Sequence, residues 1–492
     1  MTQPSGITIR EKNPGTGGFQ APGQGRLFFF DSSERGPDLA EDLEYGGFEQ
    51  RFGANSRAAK LAKLYSQQRG ANGRVPGRIT FARVRSATAV KATRTLLDRQ
   101  GTPLNTLRLD ASGAGLWGNT LSYVITDGRA LNTVTIEVRL NGATVELYPD
   151  VTMDASDSRY AVTLINRQSA YLRATDVRPV QVFVAAQNPA TGTNSLATGT
   201  DGAALTNQDF LDAMARFSSI RGAGILYSPN PASAVATAML AHGNYKFAVI
   251  DTPLGQGYTL NKTLRDSFNS SQGMLVRGEA YTVVDPNALL PLGIAWAAGQ
   301  LLTDAEIGPH MPFSNVPVAG LEDLALDYLA DVEANAANYE LNGITTFRRL
   351  ADGGVGPFGL LSLTASGPFR FYNVRRTFWY VYEQLQRIIQ PVLHRRSLNF
   401  ETFRDIDNSI VDFFEGIVEP RGMTVGPGGA PGTRGQGWDW KADGETTPQG
   451  ILDAGGLYAR LGLKVPRALA YVEIEVSEFE APALVETAPG VI

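Results

Sequence analysis

The stretch ASGAGLWGNTLSYVI, Ala111 to Ile125, carries Gly113, Gly115 and Gly118 in the spacing G-x-G-x-x-G. A dinucleotide-binding loop has this spacing, and it runs from a strand through a tight turn into a helix whose N-terminal N–H groups hold a pyrophosphate. Here a strand precedes the glycines. After Gly118 the chain reads Asn119-Thr-Leu-Ser-Tyr-Val-Ile125, which is strand-like, and then meets an Asp127-Gly128 turn. No phosphate-cradling helix opens, so the spacing predicts a structural connection inside a β-rich unit, with Trp117 packed beneath it.

Working outward, strand patterns continue from Thr106 to about Leu172: Leu107–Leu109, Leu121–Ile125, Val134–Leu140, Val145–Tyr148 and Ala161–Ile165, with an Asn141-Gly142 turn between two of them. This predicts an all-β unit, barrel or sandwich. Before it, Arg26–Phe30 and Ile79–Val84 read as strands and Ala58–Arg69 as a helix with Leu61, Leu64 and Tyr65 on one face. After it, from about Asp201 to Ala351, helix and strand signals alternate. Asn207–Phe217 and Leu321–Asn335 read as helices, Gly224–Tyr227 and Lys246–Ile250 as buried strands. Two amphipathic stripes follow, Val374 to Ile389 ended by Pro391, and Phe403 to Ile417. A Gly/Pro loop spans 426–437. Val472, Ile474 and Val476 alternate with Glu473 and Glu475 as a closing strand would, and Ile7, Thr8 and Ile9 make a similar piece ahead of the glycine-rich residues 15–25.

Composition narrows the classes. A chain of 492 residues exceeds what one core serves and predicts about three domains. A net charge of −5 gives no bulk attraction to nucleic acid, and zero Cys excludes a disulfide framework, a thiol nucleophile and thiolate zinc. Met1–Gly25 shows no apolar export signal. The run from Ala288 to Leu302 is interrupted by Pro291, Gly293 and Gly299 and is shorter than a membrane span of about 20 residues. The expectation is a soluble protein made in the cytoplasm, without membrane insertion.

Catalytic patterns are weak. The chain has no Gly-Lys pair for a P-loop and no Gly-x-Ser-x-Gly elbow. His242, His310 and His394 lack metal-ligand spacing. Asp251 ends an apolar strand in Val249-Ile-Asp-Thr-Pro253, where either a catalytic carboxylate or an Asx turn before proline fits. No catalytic, cofactor or metal residue is assigned. Association is better marked. Phe369–Phe400 holds six arginines against one acid, Glu383, inside an acidic chain. Such a segment is either a solvated helix face or a docking face for an acidic partner. The terminal strand-like pieces need a sheet edge, in their own domain or on a neighbour.

At this point the chain resembles a family, the contractile tail sheath proteins of bacteriophages and related injection devices. The resemblance rests on Tyr372-Asn373-Val374-Arg375-Arg376 followed by two helices, on Glu34-Arg35-Gly36-Pro37, Phe52-Gly53 and Ala82-Arg83-Val84, on the opening glycine stretch, and on Val249–Pro253. Gly113-Ala114 stands where the family has proline, Gly356-Pro-Phe-Gly359 where a Trp-Gly-Ala-Arg-Thr-like run is expected, and Trp438-Asp-Trp440 looks particular to this chain.

The resemblance implies an α+β or α/β multidomain chain of tail-sheath architecture. An inner α/β domain is built from both termini, and a middle α/β domain carries the inserted all-β barrel or sandwich. The implied parts are an arm at 1–25, a middle domain at 26–104 and 190–350, an insert at 105–189, an inner domain at 351–476 and an arm at 477–492. It implies a structural virion protein, not an enzyme, without cofactors. This protein would be assembled in the host cytoplasm into a helical sleeve of the virion tail, whose contraction drives the inner tube through the host envelope for genome delivery. Its partners would be copies of itself, the tail tube protein, and baseplate and tail terminator proteins, with no direct nucleic acid contact. Arm strands at Ile7, Thr8, Ile9, Val472, Ile474 and Val476 would join neighbours. Arg375, Arg376, Arg387, Arg395 and Arg396 would dock the tube or adjacent subunits. The competing readings are a nucleotide-binding α/β enzyme with a β-rich appendage and another virion structural protein.

Overall fold

The structure, a computed structural model, describes residues 25–70, 73–180, 182–220, 222–243, 245–351, 353–391, 400–442, 447–453 and 456–468. It begins with β1 (Arg26–Ser32), β2 (Leu39–Leu43), helices α1 (Tyr45–Phe52) and α2 (Arg57–Gln67), and β3 (Ile79–Val84). The sequence of β1, RLFFFDS, is apolar without alternation, as a strand covered on both faces requires. Leu27, Phe28, Phe29 and Phe30 are fully buried. Phe29 meets Phe81, Tyr227 and Phe48 on one face, at 5.1, 5.6 and 6.4 Å between centroids. Phe28 and Phe30 meet Phe217 on the other, at 5.4 and 6.2 Å. Helix α2 starts on Ser56, whose Oγ accepts the N–H of Ala59 at 3.1 Å, and buries Leu61, Leu64 and Tyr65 as its spacing predicts.

After β3 the chain departs into a separate unit with its own core. Its elements are β4 (Thr93–Leu97), β5 (Asn105–Ala111), β6 (Leu121–Asp127), β7 (Val134–Leu140), β8 (Ala143–Val151), α3 (Ala161–Gln168), β9 (Leu172–Asp176) and β10 (Gly192–Ser195). Two antiparallel sheets, β10-β6-β7-β8 and β4-β5-β9, share the core. The β7–β8 hairpin turns on Asn141 and Gly142, both at positive φ (51° and 83°), as its sequence predicts. One expectation is corrected. Ala161–Ile165 is helical, because Ala161 and Ile165, four apart, form the buried stripe. Strand β4 pairs with β5 and β10 with β6, and the buried residues of this unit run from Ala92 to Leu196.

The chain returns through α4 (Asn207–Ala215), β11 (Gly224–Ser228), α5 (Ser233–Ala241), β12 (Lys246–Asp251), α6 (Tyr258–Asp266) and β13 (Gly273–Arg277). Then come β14 (Glu279–Thr282), β15 (Asp285–Pro291), α7 (Gly293–Glu306), β16 (Leu321–Leu324), α8 (Leu326–Ala334), α9 (Ala336–Leu341), β17 (Ile344–Arg349) and β18 (Val355–Phe358). Eight strands form one sheet in the order β18-β17-β13-β12-β11-β1-β3-β2, parallel except for β2 and β18 at its edges. The interrupted apolar run at 288–302 becomes the end of β15 and the buried helix α7. Among the described residues no helix is long and apolar enough to cross a membrane. Leu321–Asn335 is helical only from Leu326; Leu321–Leu324 pairs with β14 and buries Leu324.

The last part comprises α10 (Tyr372–Ile389), α11 (Phe400–Phe413) with a π turn at Phe414–Val418, β19 (Trp438–Lys441), α12 (Gln449–Asp453) and β20 (Arg460–Leu463). One flank of α10 puts Tyr372 and Trp379 against the large sheet through Phe247 and Trp296. Its other flank makes a third core with α11, Trp438 and Trp440. Strands β19 and β20 form a two-stranded ribbon.

The glycine stretch is the joint between the inserted unit and the sheet. A short 3-10 turn at Leu116–Thr120 leads directly into β6. Trp117 is half-buried against the inserted core and donates to the carbonyl of Ala114. Gly113 lies on Gly36, and a Cβ there would sit 1.9 Å from the Gly36 carbonyl oxygen. Arg83 of β3 donates to the Ala114 carbonyl at 2.5 Å. Burial pushes its guanidinium down to about 10, which leaves it charged at neutral pH. Gly113→Ala is therefore expected to destabilise the protein by about 1–3 kcal/mol through overpacking. Urea unfolding checks this; an unchanged midpoint would show that the joint is loose.

Candidate functional site

In open α/β sheets ligands bind beyond the carboxyl ends of the strands, where strand order reverses. Here that place lies at β1, β11 and β12, and core side chains fill it. Asp31 accepts two bonds from Arg57, at 2.9 and 3.0 Å. Asp251 accepts the Tyr227 hydroxyl at 2.7 Å and the N–H of Gly293, the first residue of α7, at 2.9 Å. Asp251 thus fastens the N-terminus of α7 to the sheet, where a carboxylate also suits the helix dipole. Burial pushes the Asp251 carboxyl up to about 7, offset in part by Tyr227, Gly293 and Arg57. Tyr227 is pushed well above its ordinary value by burial and by the adjacent Asp251. Of the histidines, His310 is buried and lowered by burial, His242 is half-buried and pushed by burial to about 4, and His394 lies outside the described residues. Among the described residues no group of three or more His, Asp or Glu is arranged to hold a metal ion.

The arginine-rich helix α10 runs past the amino ends of the central strands. Arg376 is 7% exposed, and its two terminal nitrogens grip both oxygens of Asp304 on α7. Gln300 donates to the same Asp304 at 2.9 Å. Arg376 is therefore held inside the molecule by Asp304. Arg375 lies between the rings of Phe369 and Trp379, 4.6 and 5.1 Å from their centroids, and burial lowers its pKa. Arg387 is about half exposed and pairs with Glu383 at 2.7 Å. The other Glu383 oxygen accepts the N–H of Ala223 at 3.2 Å, just ahead of β11. Arg395 and Arg396 lie outside the described residues, as do the strand-like pieces Ile7-Thr8-Ile9 and Val472, Ile474 and Val476. Sequence reasoning missed Asp304, which stands 72 positions from its arginine. The local signal was its place, with Gln300, in a mostly apolar helix.

Several solved structures share this architecture. The sheath tail protein of Listeria innocua, 13% identical, superposes with a TM-score of 0.59 over 91% of this chain and 96% of that chain. The fold is that of the tail sheath proteins. A chain of the anti-feeding prophage baseplate matches at 13% identity and a TM-score of 0.58, over 98% of this chain and 100% of that one. The helical sheath of the anti-feeding prophage in its contracted state matches at 14% identity and 0.57, over 97% and 100%. Matches of this extent take in the inserted unit and the α10–β20 region together with the large sheet. No protein-family model matches the sequence, and no curated protein does. The sheath fold is therefore reached by a sequence that keeps little beyond the backbone path.

Two predictions follow from the buried charges. A carboxyl whose folded pKa lies above its unfolded value of 3.8 contributes its stability in full below about pH 4 and loses it as pH rises through about 7. Wild-type stability is expected to fall across that window, relative to Asp251→Asn, by on the order of 1.4 kcal/mol per unit of raised pKa. Identical pH profiles in urea titrations would refute it. Arg376→Met, which strands a buried Asp304, is expected to cost about 3–5 kcal/mol, and the added change Asp304→Leu should recover most of the loss. Calorimetric melting of both variants reads the difference, and equal losses would argue against the pairing.

Proposed function

We propose that this protein is the subunit of a contractile sheath. Many copies wind into a helical sleeve around a rigid inner tube, and the sleeve shortens to drive the tube through a target envelope, delivering a genome in a phage tail. The observation that carries the reading is the full-length likeness to sheath chains, among them a helical sheath in its contracted state. The partners on this reading are further copies of the chain, the tube protein, and baseplate and terminator proteins, with assembly in the host cytoplasm.

The β19–β20 ribbon supports strand exchange. An isolated two-stranded ribbon is marginal in water, and this one has no third strand among the described residues. On this reading Ile7-Thr8-Ile9 of one neighbour and Val472, Ile474 and Val476 of another complete it by β-augmentation. Ladder hydrogen bonds would then persist while the linking residues pivot and the rigid bodies change partners. Docking on the tube falls to Arg387, Arg395 and Arg396, since Arg376 is committed to Asp304 and Arg375 to two rings.

Purified protein is expected to form tubular polymers in negative-stain micrographs. Removing residues 1–20 or 469–492 should leave soluble subunits that form none. Sleeves of normal length from either truncation would overturn the strand exchange, and dispersed globular particles from the intact chain would overturn the sheath reading.

A further inference from the structure

Resting on the sheath reading, we infer that Asn373 is the positioning residue for the C-terminal arm: its carboxamide anchors the chain at Pro466, six residues ahead of Val472. Asn373 is the second residue of α10 and 1% exposed. Its Nδ2 donates to the carbonyl of His310 at 2.7 Å and to that of Pro466 at 3.1 Å. The first carbonyl belongs to the loop after α7, the second to the segment after β20. Neither residue lies in a helix or strand. A primary amide carries two diverging N–H bonds, so one side chain can hold two carbonyls and bind three segments at a point.

Val465, just ahead of Pro466, is buried. Lys464 is tied to Gly437 and Val425 through its backbone. Beyond it Pro466 has no N–H to donate, and Pro466, Arg467 and Ala468 share the lining of a cavity of about 980 Å³ with Leu341, Phe358 and Leu361. A fixed departure point matters because an arm that completes a neighbour's ribbon must arrive in register. One residue of slack moves a strand by about 3.3 Å and turns every side chain to the opposite face. Asn373 thereby limits the slack with which the arm reaches another subunit.

The test is Asn373→Asp, which keeps the size of the side chain and turns the double donor toward two carbonyls as an acceptor. Hydrogen exchange at the Lys464 and Met311 amides, which bond to the carbonyls of Gly437 and Gly308, is expected to accelerate at least tenfold while the amides of β1, β11 and β12 exchange as before. Sleeve yield in micrographs at equal protein concentration should fall at least fivefold. Wild-type exchange at Lys464 and Met311, or wild-type sleeves, would overturn the assignment. If the unaltered chain itself forms no sleeves while the variant still loosens this segment, the sheath reading fails and the clamp stands. If the variant does not fold, native-state exchange of the unaltered protein decides: the amides of Met311 and Lys464 should open together, and independent opening would overturn the clamp.

Discussion

Strand β1 has no free side. Its backbone groups pair with β3 on one edge and β11 on the other, and its four apolar residues are covered from both faces. Each such side chain contributes on the order of 1.5–3 kcal/mol by burial. That gain exists only when helices from distant parts of the chain close over the strand: α1, α2 and α7 on one face, α4 on the other. The strand therefore draws side chains from 27–84 and from 210–379 into one core and leaves the β-rich unit as an excursion between them. Arg83, the Gly36 turn and Gly113 set the angle at which that excursion leaves.

The second constraint is the seam between α7 and α10. Helix α7 is fastened to the sheet by Asp251 at its start and to α10 by Asp304 near its end. Between these points lies the aromatic contact of Trp296 with Phe247 and Tyr372. The charge that marks α10 in the sequence is thus largely used inside the molecule. An arginine-rich helix in an acidic chain suggests a docking face, yet Arg376 bonds to Asp304, Arg375 stacks between rings, and Arg387 is balanced by Glu383. Of the helix's three arginines, two face carboxylates and the third lies between rings.

The legible parts of the fold were those with strong local signals. The uninterrupted β1 and β12 runs, the Leu61/Leu64/Tyr65 stripe and the Asn141-Gly142 turn each encode their own conformation. The glycine stretch was legible as a connection because the segment after Gly118 alternates like a strand. The failures share a physical cause, which is context from afar. Ala161–Ile165 is rich in β-branched residues, as a strand would be, but the core it meets takes residues four apart. Leu321–Leu324 is a poor strand former that pairs because β14 offers an edge. For the site, the arginines were visible and their burial was not, since Asp304 lies far away in sequence. Asn373 was visible as part of a motif, but its two carbonyl partners carry no sequence signal, because any residue supplies a carbonyl.

The insertion also has a consequence for how the chain is made. Arg26 pairs with Gly224, so β1 emerges from the ribosome long before its second partner exists. In the interval it can pair with β3 alone, leaving a bare Leu-Phe-Phe-Phe edge of the kind that recruits other chains. The β-rich unit has its own core and antiparallel hairpins, so it can fold during this wait and draw the two distant points together, shortening the loop that remains to be closed. A slow or crippled insert would then expose the central strand to aggregation, even though no residue of the insert touches β1's ladder. Recovery of the folded chain would then depend in part on a unit that contributes no strand to the large sheet.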